Sequence, residues 1–267
     1  MLHRRALILL CLTVGHAAYA APEGEATASS PAPEGVGVGY QLEASIASTY
    51  VFRGILQYGR LADPSSQNTA TLRFDRLGPG ALSLSVWNAT SLANFRENAT
   101  ASLEFDLGAS YALDLGAGFS ASLGYTSFLY PEHAQAVPYD AAHEISVSLA
   151  WANDWVTPSL LIAAEVARMR GVYASLGASR DFPLGPLVLS PAVSVGVAGY
   201  NDYLLSGRSA DLHVNDVSAS VSLKLPFADV MYAALRMNGA VRATPASIAG
   251  DVERVSGLVA LAIGAAN

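Results

Sequence analysis

The sequence predicts an all-β protein, a transmembrane antiparallel up-and-down β-barrel of about 12 strands. Three observations carry this reading. Apolar and polar residues alternate with a period of two through one segment after another. The links between these segments are long and short by turns. The chain is 52% apolar and only 14% charged, against roughly 25% charged in an average soluble domain. Yet past residue 20 it holds no apolar run of the roughly 18 residues that a membrane-crossing helix requires.

Residues 1–20 read as a secretory signal. His3, Arg4 and Arg5 form a basic start, Ala6 to Val14 a short apolar stretch, and Ala18-Tyr19-Ala20 a small-residue cleavage site. The apolar stretch is too short to span a core of about 30 Å. Removing this segment takes away the one cysteine, Cys11, so the exported chain has no disulfide and no thiolate metal site. It leaves 13 basic against 22 acidic residues, a formal charge of −9. An acidic balance of this size argues against a nucleic-acid partner. An exported chain without cysteine fits a bacterial envelope. Residues 21–39, rich in Ala, Pro, Glu, Gly and Ser, read as a flexible lead-in. Residues 40–267 are the barrel domain.

In the first alternating segment, Tyr40, Leu42, Ala44, Ile46, Ser48, Tyr50 and Phe52 share one face, while Gln41, Glu43, Ser45, Thr49 and Arg53 share the other. The stretch 101–114 repeats the pattern, with Phe105 and Leu107 opposed to Glu104 and Asp106. A helix would scatter both sets around its circumference. The same reading places strands at 40–53, 68–76, 80–89, 99–113, 118–129, 142–151, 155–168, 171–181, 186–200, 214–226, 229–242 and 252–265. Long links at 54–67, 90–98, 130–141, 201–213 and 243–251 alternate with tight turns, the short link near Arg170 excepted. Membrane barrels show this asymmetry, with short periplasmic turns and long external loops. An even strand count returns both ends of the domain to the periplasmic side.

The reason for a closed barrel is backbone satisfaction, because an unpaired N–H or C=O in hydrocarbon costs several kcal/mol. Aromatic residues near strand ends (Tyr40, Tyr50, Phe52, Tyr130, Trp151, Trp155 and Tyr200) are expected in the interfacial girdles. Charges on the opposite face are expected to line the lumen: Arg53, Arg73, Asp75, Glu104, Asp106, Glu144, Glu165, Asp216, Lys224, Arg236 and Arg254. Such mixed charges either border an aqueous path or pair and fill it. Twelve strands lie between the eight that side chains fill and the sixteen that leave a channel.

The segment Ser48-Thr49-Tyr50-Val51-Phe52-Arg53-Gly54-Ile55-Leu56-Gln57 resembles the opening motif of the TorF-like porin family, Tyr-x-Phe-Arg-Gly followed by x-x-Gln. Leu84-Ser85-Val86-Trp87-Asn88 is similar to that family's second-hairpin tryptophan segment, and Glu104-Phe105-Asp106-Leu107 and His143-Glu144-Ile145 to its later acidic positions. The loop after Gln57 departs from the family's short acidic form. The resemblance implies an outer-membrane barrel with a porin-like role.

Little points to catalysis. His133, His143 and His213 form no metal-binding pair, and Gly-x-Ser-x-Gly is missing. Ser146, three residues from His143, belongs to the opposite strand face. No catalytic, metal or cofactor site is expected, and no enzyme activity. The expected partners are outer-membrane lipid and small hydrophilic solutes diffusing through the barrel. The alternative is a filled structural or adhesive barrel whose external loops bind a partner.

Overall fold

The computed structural model describes residues 36–53, 55–56, 64–92, 103–130, 141–167, 171–199, 212–242 and 255–267. Its strands are β1 (Gly37–Ala47), β2 (Val51–Phe52), β3 (Ile55–Leu56), β4 (Ser65–Leu77), β5 (Gly80–Ser91), β6 (Leu103–Gly116), β7 (Phe119–Leu129), β8 (Ala141–Trp151), β9 (Thr157–Glu165), β10 (Val172–Ser179), β11 (Phe182–Leu184), β12 (Leu187–Gly199), β13 (His213–Pro226), β14 (Met231–Arg242) and β15 (Val255–Ala266).

Twelve of these form a closed antiparallel wall in which each strand pairs with its neighbours in sequence. The first strand closes on the last, with Gln41 opposite Ala266 and Ala47 opposite Ala260. β11 is a short extension of the β10–β12 link, paired to β12 alone. Closure leaves no free sheet edge through the middle of the wall, which is what crossing hydrocarbon demands. No helix among the described residues is long and apolar enough to cross a membrane.

The alternation sorts the faces as a barrel requires. Along β1, Val38, Leu42 and Ile46 point outward and are 62%, 51% and 62% exposed, whereas Ser45 and Ala47 point inward and are buried. The outer surface continues through Leu84, Val86, Leu107, Leu123, Val147, Val193 and Leu261, all exposed. Tight turns gather at one end. At the β6–β7 turn, Gly116, Ala117 and Gly118 all have positive φ, and a Cβ on Gly118 would lie 2.2 Å from the Ala152 carbonyl oxygen. The C-terminal residue also lies at this end, where the Tyr40 N–H donates to Asn267 Oδ1 at 2.9 Å.

Each of the twelve expected strands has its counterpart, and the largest difference is in the first. Strand β1 begins at Gly37, inside the expected lead-in, and ends at Ala47 rather than Arg53. The chain leaves the wall at Ser48, whose N–H still bonds the Val259 carbonyl at 2.8 Å, and turns into the barrel. There β2 and β3 form a small antiparallel hairpin, Val51 opposite Leu56 and Phe52 opposite Ile55. Arg53, with φ 48°, lies in the link between them, where a two-residue hairpin turn favours positive φ.

This corrects three of the girdle assignments. Tyr50 and Phe52 are inside the barrel, 2% and 4% exposed, because a segment that leaves the ladder no longer obeys the wall's alternation. Tyr130 is also buried, since it shares parity with the inward Thr126 and Phe128 of β7. Trp151 and Trp155 lie on the outside at the turn end, 43% and 79% exposed, with Trp151 stacked on Phe119 at 5.5 Å. Tyr40 is half-exposed on the outward face of β1. Tyr200 lies outside the described residues, as do residues 1–35 with the expected signal and most of the lead-in.

Candidate functional site

The barrel interior divides into three levels. At the loop end the infolded segment packs inside the barrel. Tyr50 packs against Trp87, ring centroids 5.2 Å apart, and Phe52 meets Phe128 edge-on at 5.9 Å. With Tyr130, Ala89 and Ala142 they form one apolar cluster. Val51 joins a second, with Ala47, Leu258 and Ala260. Burying side chains of this size contributes roughly 1.5–3 kcal/mol each.

Arg53 pins the segment. Its Nη2 donates to both oxygens of Glu144, at 3.0 and 2.9 Å, a charge-assisted arrangement stronger than a neutral hydrogen bond. Its guanidinium lies 4.2 Å from the Tyr173 ring centroid, within cation–π range. Its carbonyl accepts a hydrogen bond from Asn215 Nδ2 at 3.1 Å. Asn215 reaches inward because of an irregularity in β13. Gly196 pairs with Asp216 but Val197 with Val214, so one residue is extra and Asn215 and Asp216 are both buried.

The remaining acids of this level have separate settings. Glu144 stands directly opposite Glu165 across β8–β9, a like-charge pair that is unfavourable alone and that Arg53 offsets. Glu165 Oε1 accepts from the Ala167 N–H at 3.0 Å and the His143 N–H at 3.3 Å. The side chains of Tyr50 and Tyr130 hydrogen-bond Glu104, tying the plug to β6. Tyr173 donates to Asp216 Oδ1 at 3.2 Å by lying across Gly196, where a Cβ would come within 2.4 Å of the Tyr173 hydroxyl.

At mid-height many inward side chains are small, among them Ser85, Gly108, Ser110, Ser122, Gly177, Ser194, Ser218 and Ser220, beside the larger Leu161 and Asn238. Hydroxyls pair along the wall, Ser122 with Ser148 at 2.6 Å and Ser194 with Ser218 at 2.7 Å. The eight small residues all remain partly exposed although they face inward. The middle of the barrel therefore keeps accessible surface on part of its inner face, in contrast to the packed loop end.

A second charged group lines the turn end. Glu43 takes a two-pronged bond from Arg236 and a bond from the Tyr232 hydroxyl at 2.7 Å. Lys224 Nζ sits 4.3 Å from the Tyr232 ring centroid, and Arg73 pairs with Asp75. Tyr232 reaches Glu43 by crossing Gly264, which pairs with both residues. A Cβ there would lie 2.4 Å from Tyr232 Cζ. We expect Gly264→Ala to displace Tyr232 and cost about 1–3 kcal/mol through overpacking, measured by urea unfolding in detergent. Tyr232→Phe is expected to cost less, since it keeps the packing.

The structure thus turns Arg53, Arg73, Asp75, Glu104, Asp106, Glu144, Glu165, Asp216, Lys224 and Arg236 inward and divides them between two ends rather than one continuous lining. Arg254 lies outside the described residues. Tyr173, Asn215 and Arg242 join this lining without being among the expected lumen residues, as does Glu43, which the alternation already puts on the face of Gln41 and Arg53. Parity with Arg236 on β14 likewise turns Arg242 inward. Nothing in the alternation announces the extra residue at Asn215. Outside the barrel, His143 stacks on Tyr125 and its Nδ1 lies 2.8 Å from the Tyr125 hydroxyl, while Ser146 is buried on the other face.

Among solved structures, the NanC porin is similar with a TM-score of 0.51 at 8% identity, over 84% of this chain and 97% of that one. The KdgM porin in complex with disordered oligogalacturonate gives 0.49 at 10% identity, over 85% and 98%. LpxR from Salmonella typhimurium gives 0.46 at 11%, over 84% and 99%. At such identities the likeness to NanC concerns the fold, that of an outer-membrane barrel. No curated protein matches the chain. Residues 25–222 match the family described as "Bacterial protein of unknown function (Gcw_chp)". The match covers most of the 267 residues, from the lead-in into the wall's tenth strand, and the chain belongs to this family.

Proposed function

We propose that this protein is a porin-like channel of the bacterial outer membrane, exported through a cleaved signal at residues 1–20, that passes small hydrophilic solutes by passive diffusion. The observation that carries the reading is the contrast inside the barrel. Small, hydroxyl-bearing side chains keep partial exposure on the inner face at mid-height, and charged residues stand at both ends. A barrel built only as a support would gain from filling that middle with large apolar side chains. The segment from Thr49 to Arg53 narrows the loop end and acts as the constriction. Lipid is the partner of the outer surface, small hydrophilic solutes are the partners of the lumen, and the acidic balance gives nucleic acid no site.

One observation favours a second reading, a filled structural or adhesive barrel: Tyr50, Val51 and Phe52 are packed at the loop end with almost no exposure. Liposome swelling separates the two. Vesicles carrying the refolded protein should swell in a small sugar or amino acid, at rates that fall as the solute grows. Rates equal to those of protein-free vesicles for every solute would leave the filled barrel as the account.

A further inference from the structure

We infer that the segment Ser48–Phe52 is a two-position gate. In one position it folds into the lumen, as observed. In the other it continues β1 along the edge of β15 and clears the loop end. The inference rests on the channel reading, and four observations carry it.

The first is the register. β1 and β15 pair from Gln41 opposite Ala266 to Ala47 opposite Ala260, and Ser48 extends the ladder by one step. Its N–H bonds the Val259 carbonyl at 2.8 Å, and its Oγ accepts from the Val259 N–H at 3.0 Å. Strand β15 runs on past that step to Val255. The same register continued puts Thr49 opposite Leu258, Tyr50 opposite Gly257 and Phe52 opposite Val255.

The second is the alternation. Tyr50 and Phe52 share parity with the outward residues Leu42 and Ile46, and Thr49, Val51 and Arg53 with the inward Ser45 and Ala47. Extended along β15, the segment would turn two aromatic rings to the outer surface near a membrane interface and keep Arg53 facing the lumen. Tyr50 would stand beside Gly257, a small neighbour over which an aromatic ring packs well in sheets. A segment meant only to plug the barrel has no need of a strand pattern that continues the wall.

The third is the balance between the positions. Tyr50 and Phe52 leave water in either one, against Trp87 and Phe128 inside or against lipid outside. Their apolar surface therefore decides little. What the inward position adds is specific: the Arg53–Glu144 pair, the Tyr173 ring, the Asn215 bond to the Arg53 carbonyl, the Tyr50 bond to Glu104 and the bonds from Ser65 and Gln67 to the Thr49 carbonyl. The fourth is the left-handed backbone of Arg53, φ 48°, a conformation uncommon for a residue with a side chain. A continued strand would not need it.

Cysteine pairs in the full chain test this, because the natural cysteine, Cys11, lies within the expected signal. F52C/F128C captures the inward position, F52C/V255C the extended one, and S48C/V259C, adjacent in both, checks that the wall has formed. In reconstituted barrels under mild oxidation all three pairs should close. Adding Glu144→Gln should speed closure of F52C/V255C about tenfold, as expected when a charge-assisted pair holding the inward position is weakened, and slow that of F52C/F128C. Oxidised F52C/V255C should conduct more than the same protein reduced. Y50C/G257C gives a second measure of the extended position should F52C/V255C fail to fold. The gate is overturned if S48C/V259C and F52C/F128C close fully while both extended pairs stay reduced with or without Glu144→Gln. Cross-linking is scored without any current, so closure of the extended pairs in a barrel that never conducts would count against the channel reading alone.

Discussion

Leu123→Arg should prevent assembly of the barrel, whereas Ser122→Arg, one residue away, should fold. Leu123 is mid-strand on the outer face of β7 and 58% exposed. A cationic side chain facing lipid near the midplane costs about 2–4 kcal/mol, which is a large share of the stability of a typical domain. Ser122 faces the lumen, where its hydroxyl meets Ser148, and in a water-filled channel an arginine there remains hydrated. Unheated gel mobility and urea unfolding in detergent measure the contrast. Both variants carry the same added side chain, so only the face differs. Severe damage from Ser122→Arg with little from Leu123→Arg would mean that the faces are inverted.

Arg53→Ala should be the most damaging single change in the interior. It leaves Glu144, 1% exposed, opposite Glu165, 2% exposed, without the guanidinium that bonds Glu144. Removing one partner of a buried ion pair costs about 3–5 kcal/mol, mainly by leaving the other charge uncompensated. Adding Glu144→Gln should therefore recover much of the loss, and the double-mutant cycle should show strong coupling. Urea unfolding of the four proteins measures it. Additive losses would mean that Arg53 contributes through its contact with Tyr173 and its place in the hairpin turn rather than through its charge.

The wall was legible in the sequence because its physics is local. A strand with one face to lipid and one to water must alternate, and turns between neighbouring strands must be short at one end, so each strand could be placed from its own residues. Inward charges such as Glu104, Glu144 and Asp216 followed from parity alone. Parity fails where the chain leaves the ladder. Tyr50 and Phe52 keep the alternation of β1 but lie in the lumen, because their contacts with Trp87 and Phe128 come from strands far along the chain. Tyr130 departs from the girdle for a different reason: nearness to a strand end suggests the interface, but the parity of Thr126 and Phe128 gives its true side. The partner of Arg53 was beyond reach from sequence, since Glu104, Asp106 and Glu144 all face inward and only the path of the hairpin selects Glu144. The glycines at 196 and 264 look like breaks in apolar strands until the tyrosines lying across them are seen.

Single-channel recording in planar bilayers tests the central claim, a water-filled barrel constricted by the Arg53 segment, most directly. The wild-type protein should insert in discrete conductance steps, and the double variant Arg53→Ala/Glu144→Gln, which loosens the constriction without stranding a buried charge, should give larger ones. Silent bilayers for both proteins, with insertion verified by unheated gel mobility, would contradict the account and identify a filled barrel.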